Sequence, residues 1–298
     1  MTQWGQRATG SRLGMRLPTL AGLVRSTGDG RAAFERMAAT AVAVERGGAG
    51  SVWVDDLAPG VPGDDPRSAL VFEAYSVLGA LAQRTKSVDL GALPWAGNLR
   101  LPAVLAKVVS GLDVISRGRA LLSLGTELAP DVTASDRLAE ELDVCRAVLT
   151  DEAPSFEGTY FRLSGAVNQP RPVRPGGVPV VVVLNGGDLL PPIARRVDAV
   201  VVTGTVERVA EVRHLLDAQL EHVSEDGGPG PVQLLWCSDV VVDGRSDLEA
   251  GAERLRRARH AGADHCLVSV DSGFATEASE QALVAATQVL GQAVGGHG

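Results

Sequence analysis

The sequence has no long apolar run. No stretch approaches the ~20 residues that a membrane-spanning helix requires, so a helical membrane span is excluded. Cysteine is scarce: Cys145, Cys237 and Cys266 are odd in number, far apart and never in a CxxC pair. That argues against a disulfide framework and against a zinc site. Each falls in an apolar segment and reads as a buried thiol rather than a nucleophile, which fits a reducing cytoplasm. Positive charge is in deficit. The 28 Lys and Arg against 36 Asp and Glu leave a net charge of −8, which argues against nonspecific nucleic-acid binding. The opening "MTQWGQRATGSR" has basic residues but lacks the apolar core of a secretory signal. Residues 1–11 and 295–298 read as loose tails.

What is present is an ordinary globular composition, 45% hydrophobic and 21% charged,. The 298 residues suit one large domain or two small ones, and α/β barrels often use roughly 250 residues as one domain. Short β-rich runs alternate with helical patterns from end to end. "RLGMRLPTL", "SVWVDD", "SVDLGALP" and "RALLSLG" read as the first four strands. "VPVVVVLNGG", "DAVVVTG", "VQLLWCSDVVVDG" and "ADHCLVSVDSG" read as the next four. A helical pattern follows each. Examples are residues 66–85 with Pro66 near the start, and "SDRLAEELDVCRAVLTD" with Ser135 as N-cap,. Alternation on this scale implies parallel strands with helical crossovers. Eight units in this length predict a (β/α)8 TIM barrel forming one domain over 1–298, with an open doubly wound sheet as the alternative. One stretch breaks the rhythm. "FEGTYFRLSGAVNQPRP", Phe156–Pro172, is too polar and proline-rich for a core helix and too long for a tight turn.

"RLPAVLAKVVSGLDVISRGRALLSLG" resembles the third-helix and fourth-strand region of the bacterial luciferase-like family. "SVWVDDL" is similar to that family's second strand, usually written W-V-x-D-H, and "FEGTYFRLSGAVNQPRPVRPGGVPVVV" to its insertion before strand five. The resemblance covers residues 50–205. It implies a TIM barrel binding flavin mononucleotide or the deazaflavin coenzyme F420 at its C-terminal mouth. It also implies that "FEGTYFRL" is a hairpin across that mouth, with Tyr160 and Phe161 packed on the barrel, and that "NQPRPVRP" is an extended lead-in to the fifth strand.

Barrel chemistry sits on the connections that follow the strands, which selects the candidates. Asp55 and Asp56 end the second strand; Asp56 matches the family aspartate, and Leu57 stands where many members have histidine. Two carboxylates there suit acid/base work, or equally a helix cap or ion pair. After the third strand the resemblance implies a cis peptide backing the flavin ring. Leu93, Pro94 and Trp95 occupy that region, where a Leu93–Pro94 bond would form the cis isomer most cheaply,. Trp95 suits a ring platform or plain packing. Gly125 and Thr126 match the family's glycine-rich turn, and Glu127 resembles a proton-donating glutamate of deazaflavin-dependent members, or is a solvated loop residue,. Asn185, Gly186 and Gly187 follow the fifth strand, where glycines before a helix let amides approach a phosphate,. Thr203, Gly204 and Thr205 offer donors for the same phosphate, with Arg171 or Arg174 as cations for a longer anionic tail or equally as surface arginines.

These readings converge on an F420-dependent oxidoreductase moving hydride to or from a small organic substrate. The alternatives are an FMN-dependent monooxygenase of the same fold, and a catalytically reduced barrel that binds a ligand or partner. The short connection after strand four and Leu57 favour the last. Residues 69–82 and 103–116 are apolar on more than one face, which predicts a homodimer,.

Overall fold

The computed structural model describes residues 11–56, 72–95, 100–126, 132–184, 191–221, 231–244 and 247–295. Its strands are β1 (Leu13–Arg16), β2 (Ser51–Asp56), β3 (Asp89–Pro94), β4 (Leu122–Gly125), β5 (Phe156–Glu157), β6 (Arg162–Leu163), β7 (Val180–Leu184), β8 (Ala199–Thr203), β9 (Gln233–Val242) and β10 (His265–Val270). Its helices are α1 (Leu20–Thr27), α2 (Gly30–Arg46), α3 (Ala74–Arg84), α4 (Pro102–Ser116), α5 (Val132–Thr150), α6 (Pro191–Ala194), α7 (Val206–Glu221), α8 (Leu248–His260), α9 (Ser272–Glu277) and α10 (Glu280–Val294).

Eight strands form one parallel sheet in the order β3-β2-β1-β10-β9-β8-β7-β4. A bridge between Leu90 and Ala120 joins its two edges, so the sheet closes into the expected barrel. The strands are short and rich in Val and Leu because both of their faces are buried. Side chains alternate across them. One set, with Trp53, Leu121, Val183, Val201 and Leu267, fills the barrel interior. The other, with Val52, Leu122, Val182 and Trp236, packs under the helices.

The structure adds two short helices to the expected set. After β1, α1 is capped by Thr19, whose side chain accepts the Gly22 amide. After β10, α9 is capped by Asp271. The two helices touch, with Ser26 Oγ 3.1 Å from Thr276 Oγ1. Two start signals move. Glu73 caps α3, accepting the Tyr75 and Ser76 amides, and Pro66 lies outside the described residues. Ser135 is inside α5, which already begins at Val132.

The stretch at 156–172 does contain a hairpin, β5 paired antiparallel with β6. It sits on α5, however, and none of its described residues lines the mouth cavity. The Glu140 carboxylate of α5 accepts the amides of Thr159, Tyr160 and Phe161 at 2.8, 2.8 and 3.1 Å. Phe161 packs on the core, whereas Tyr160 is 40% exposed. The proline-rich lead-in returns the chain to the N-terminal end of the barrel. There Asn168 donates to Ser110 and Val148, and Asp113 accepts the amides of Val173 and Arg174.

Candidate active site

Strand parity sets the site. Trp53 points into the barrel, so Asp55, two residues on, does too, while Asp56 points outward. On the inside, Asp55 receives Arg16 Nε and Nη2 of β1, both at 2.8 Å, and Trp95 Nε1 at 2.7 Å. The Arg16 guanidinium lies 5.2 Å from the Trp95 ring centroid, close enough for a cation–π contact. One carboxylate therefore orients both a cation and an aromatic plane. Burial works against the charge on Arg16, but the bonds and charge of Asp55 outweigh it and raise its pKa.

These groups open onto a cavity of about 610 Å³ at the C-terminal mouth of the barrel. Thr203, Gly204 and Thr205 line it from the end of β8 and the start of α7; Cys237, Ser238 and Asp239 line it from β9. The register of β9 against β10 shifts between Leu267 and Ser269. Such a bulge re-aims side chains, and here it accompanies the turn of Ser238 and Asp239 to the mouth. Ser238 Oγ donates to Leu267 O at 2.7 Å, and Asp239 pairs with Arg254 at the rim. Burial raises the Cys237 thiol to about 11, although Arg16 pulls it down. It is therefore a neutral wall near pH 7, not a thiolate.

Of the residues singled out from the sequence as cofactor-binding, Trp95, Thr203, Gly204 and Thr205 reach this cavity. Asp56 does not. Its carboxylate meets Arg100 Nη1 at 2.6 Å and Nη2 at 3.1 Å, beneath the N-terminus of α3, where Glu73 also pairs with Arg100. Arg100 in turn covers the Tyr75 ring at 4.9 Å. Leu93 is a buried interior residue. The Leu93–Pro94 bond is trans, and the cis peptide among the described residues is Gln169–Pro170. The reason is pairing, since Pro94 continues β3 in register with Asp56. Gly125 serves close approach: a Cβ there would stand 2.2 Å from the Pro94 carbonyl oxygen. Thr126 directs its amide to Val183 O at 3.0 Å. Glu127, Asn185, Gly186, Gly187 and Leu57 lie outside the described residues.

Arg171 and Arg174 are corrected outright. Arg174 is buried against Asp89 at the N-terminal end of β3, and Arg171 donates to Thr150 O at the end of α5. The return to the start of β7 holds both far from the mouth. Sequence reasoning passed over Arg16, Ser238 and Asp239, and read Cys237 as a buried thiol without placing it at the mouth. Parity counted from the large interior residues would have found Arg16 and chosen Asp55 over Asp56. The polar pair Ser238–Asp239 inside the apolar run "VQLLWCSDVVVDG" marked the bulge.

Fold and cavity together define an α/β-barrel protein with its site on the connections at the C-terminal mouth. The chain belongs to the luciferase-like monooxygenase family, whose profile matches residues 12–290. It is 34% identical over 166 residues to the F420-dependent glucose-6-phosphate dehydrogenase of Kineococcus radiotolerans, a match covering 51% of this chain and 47% of that one. The chain thus spans about half the length of the curated relatives it matches. Among solved structures it resembles an F420-dependent secondary alcohol dehydrogenase in complex with an F420–acetone adduct. The TM-score is 0.68 at 18% identity, over 93% of this chain and 99% of that one. It also resembles the oxygenating constituent of 3,6-diketocamphane monooxygenase from Pseudomonas putida in complex with FMN. There the TM-score is 0.65 at 14% identity, over 96% and 98% of the chains. At these identities the two structures attest the fold.

Proposed function

We propose that this chain is a coenzyme F420-dependent oxidoreductase that moves a hydride between the deazaflavin and a small organic substrate. The observation that carries the reading is the mouth cavity, whose 610 Å³ falls within the roughly 300–1,000 Å³ of small-molecule sites. Its residues suit such a cofactor. Trp95 offers an aromatic face held in place by Asp55. Thr203 and Thr205 offer hydroxyls beside the first amides of α7, a setting that favours a phosphate. Asn185, Gly186 and Gly187, which follow the neighbouring strand β7, are assigned to the same phosphate, and Glu127 to proton donation. When bound, the deazaflavin supplies the hydride chemistry. The chain's own residues bind, orient and screen it from water. The curated relatives named for F420 support this reading.

FMN is the second reading, and one observation favours it. The described residues that line the cavity carry a single cation, Arg16, too few to neutralise a long polyanionic tail, whereas the hydroxyls and amides at the start of α7 suit the one phosphate of FMN,. Fluorescence and calorimetric titration with F420 and with FMN decides between them. Thr203→Val is expected to weaken the preferred cofactor by about 0.5–1.5 kcal/mol, the net worth of one hydrogen bond. Binding of neither cofactor by the wild type would overturn both readings and leave a non-catalytic barrel.

We further propose that the chain is one domain, works in the cytoplasm and forms a homodimer. Three free buried thiols support the reducing compartment,. Among the described residues no helix is long and apolar enough to cross a membrane. The exposed apolar residues of α4 support the dimer, and light scattering tests it.

A further inference from the structure

We propose that Arg16 is the substrate-anchoring residue of this mouth and takes an oxyanion, carboxylate or phosphate, of the substrate. The inference deepens the oxidoreductase reading and rests on it for the identity of the reaction. A guanidinium has five N–H donors in a rigid fork. Asp55 engages one on Nε and one on Nη2. Among the described residues Arg16 makes no other hydrogen bond; it lies against the face of Trp95 and near enough to the Cys237 thiol to lower its pKa. Three donors are therefore left, and two of them, one on Nη1 and one on Nη2, lie along the outer edge of a side chain that lines the cavity. That edge matches the two oxygens of a carboxylate, or two of a phosphate, in a bidentate pair.

The surroundings favour the assignment. Asp55 fixes the guanidinium through two bonds and fixes Trp95 through a third, so little freedom is lost when an anion docks. The polar groups of β9 in the lining are engaged elsewhere, Ser238 Oγ with Leu267 O and Asp239 with Arg254, and Thr203 and Thr205 are assigned to the cofactor phosphate. Asp239 is itself an anion and would repel an oxyanion at the rim, which directs it inward to Arg16. Asp55 acts through Arg16 and is a positioning residue.

The test titrates benzoate, phenyl phosphate and neutral benzamide into the protein alone and into the protein saturated with F420, followed by calorimetry. Wild type is expected to bind one of the two anions at least about tenfold more tightly than benzamide, as a charge-assisted pair should give. Which anion is preferred distinguishes carboxylate from phosphate. Arg16→Met should abolish that preference and leave F420 affinity unchanged. Arg16→Lys, which keeps the charge without the fork, should retain part of it. No anion preference in wild type, or a preference that survives in Arg16→Met, overturns the proposal. So does a tenfold loss of F420 affinity in Arg16→Met, because the guanidinium would then hold the cofactor. Should circular dichroism show Arg16→Met unfolded, the lysine variant decides: a preference undiminished from wild type overturns the proposal. If wild type binds neither F420 nor FMN, the oxidoreductase reading fails, while the anion preference of the protein alone still decides the role of Arg16.

Discussion

At the end of β2, Asp55 bonds Arg16 and Trp95 inside the barrel, while Asp56 bonds Arg100 outside it. The two neighbours should therefore fail in different ways. Asp56→Ala would leave the Arg100 guanidinium, 17% exposed, with the Glu73 carboxylate and the Tyr75 ring as its partners among the described residues. Loss of one partner of a buried pair costs about 3–5 kcal/mol; partial hydration and Glu73 should reduce that to roughly 2–3 kcal/mol in urea unfolding. Asp55→Ala removes the acceptor of the Trp95 indole and should shift its fluorescence and weaken cofactor binding, while the Arg16 side chain, 30% exposed, is rehydrated from the cavity, so that the stability loss is smaller than in Asp56→Ala. Equal stability losses in the two variants, with unchanged fluorescence in both, would refute the division. The residue scale is also where the sequence was hardest to read. The family pattern selected Asp56 by its letter. Facing is instead set by the period of two from Trp53, which no motif encodes. Trp95, Thr203 and Gly204 were legible because each ends a recognisable strand. Arg16 was not, because it lies inside a run that reads as a whole as the first strand.

Between elements, single carboxylates act as pins. Glu45 of α2 accepts the amides of Lys86, Ser87 and Val88 and so ties the turn between α3 and β3. Glu140 of α5 does the same for the tip of the β5–β6 hairpin. Gly158 makes the second contact feasible, since a Cβ there would lie 2.3 Å from Glu140 Oε2. Desolvation opposes ionisation at both glutamates, but the amide bonds outweigh it and hold each pKa below the ordinary 4.5. A carboxylate with a lowered folded pKa contributes stability above its unfolded value, and that contribution is lost as pH falls through the folded one. The hairpin should thus stay docked at pH 6 and be released only below about 4.5. Amide exchange at residues 159–161 should accelerate at pH 6 in Glu140→Gln and Gly158→Ala, relative to wild type. Unchanged protection in both variants would show that the packing of Phe156, Phe161 and Leu163 on the core holds the hairpin without Glu140. The strands and long helices were legible at this scale because their apolar periods run over several turns or a whole strand. The short helices α1 and α9 were not. Eight and six residues with an internal glycine carry too little periodicity, and their capping residues look like ordinary turn formers.

Over the whole molecule, the two ends of the barrel divide the work. The N-terminal end holds the buried cations. Arg119 donates to the Ala82, Thr85 and Val88 carbonyls, and Arg174 meets Asp89. The C-terminal end holds the cavity. The helical flank is left with an unfinished surface. Along α4 and its N-cap Leu101, the side chains of Leu101, Val104, Val108 and Ile115 are 68%, 51%, 36% and 50% exposed. Their spacing of three, four and seven residues is that of a helix–helix seam. Gly111 falls on the same seam, and a Cβ there would meet nothing within 4 Å, so the centre of the stripe admits a close partner. Fully covering side chains of this size is worth about 1.5–3 kcal/mol each, and symmetric pairing would double the number covered. A second copy of the chain meeting α4 to α4 satisfies that surface isologously. Wild type should therefore scatter light as twice 30.9 kDa at micromolar concentration. Val104→Glu combined with Ile115→Lys places charge on the seam without entering the buried face of α4. This double variant should scatter as 30.9 kDa with an unchanged circular dichroism spectrum. If wild type scatters as the single chain, or if the double variant still pairs, the seam is not the contact between copies.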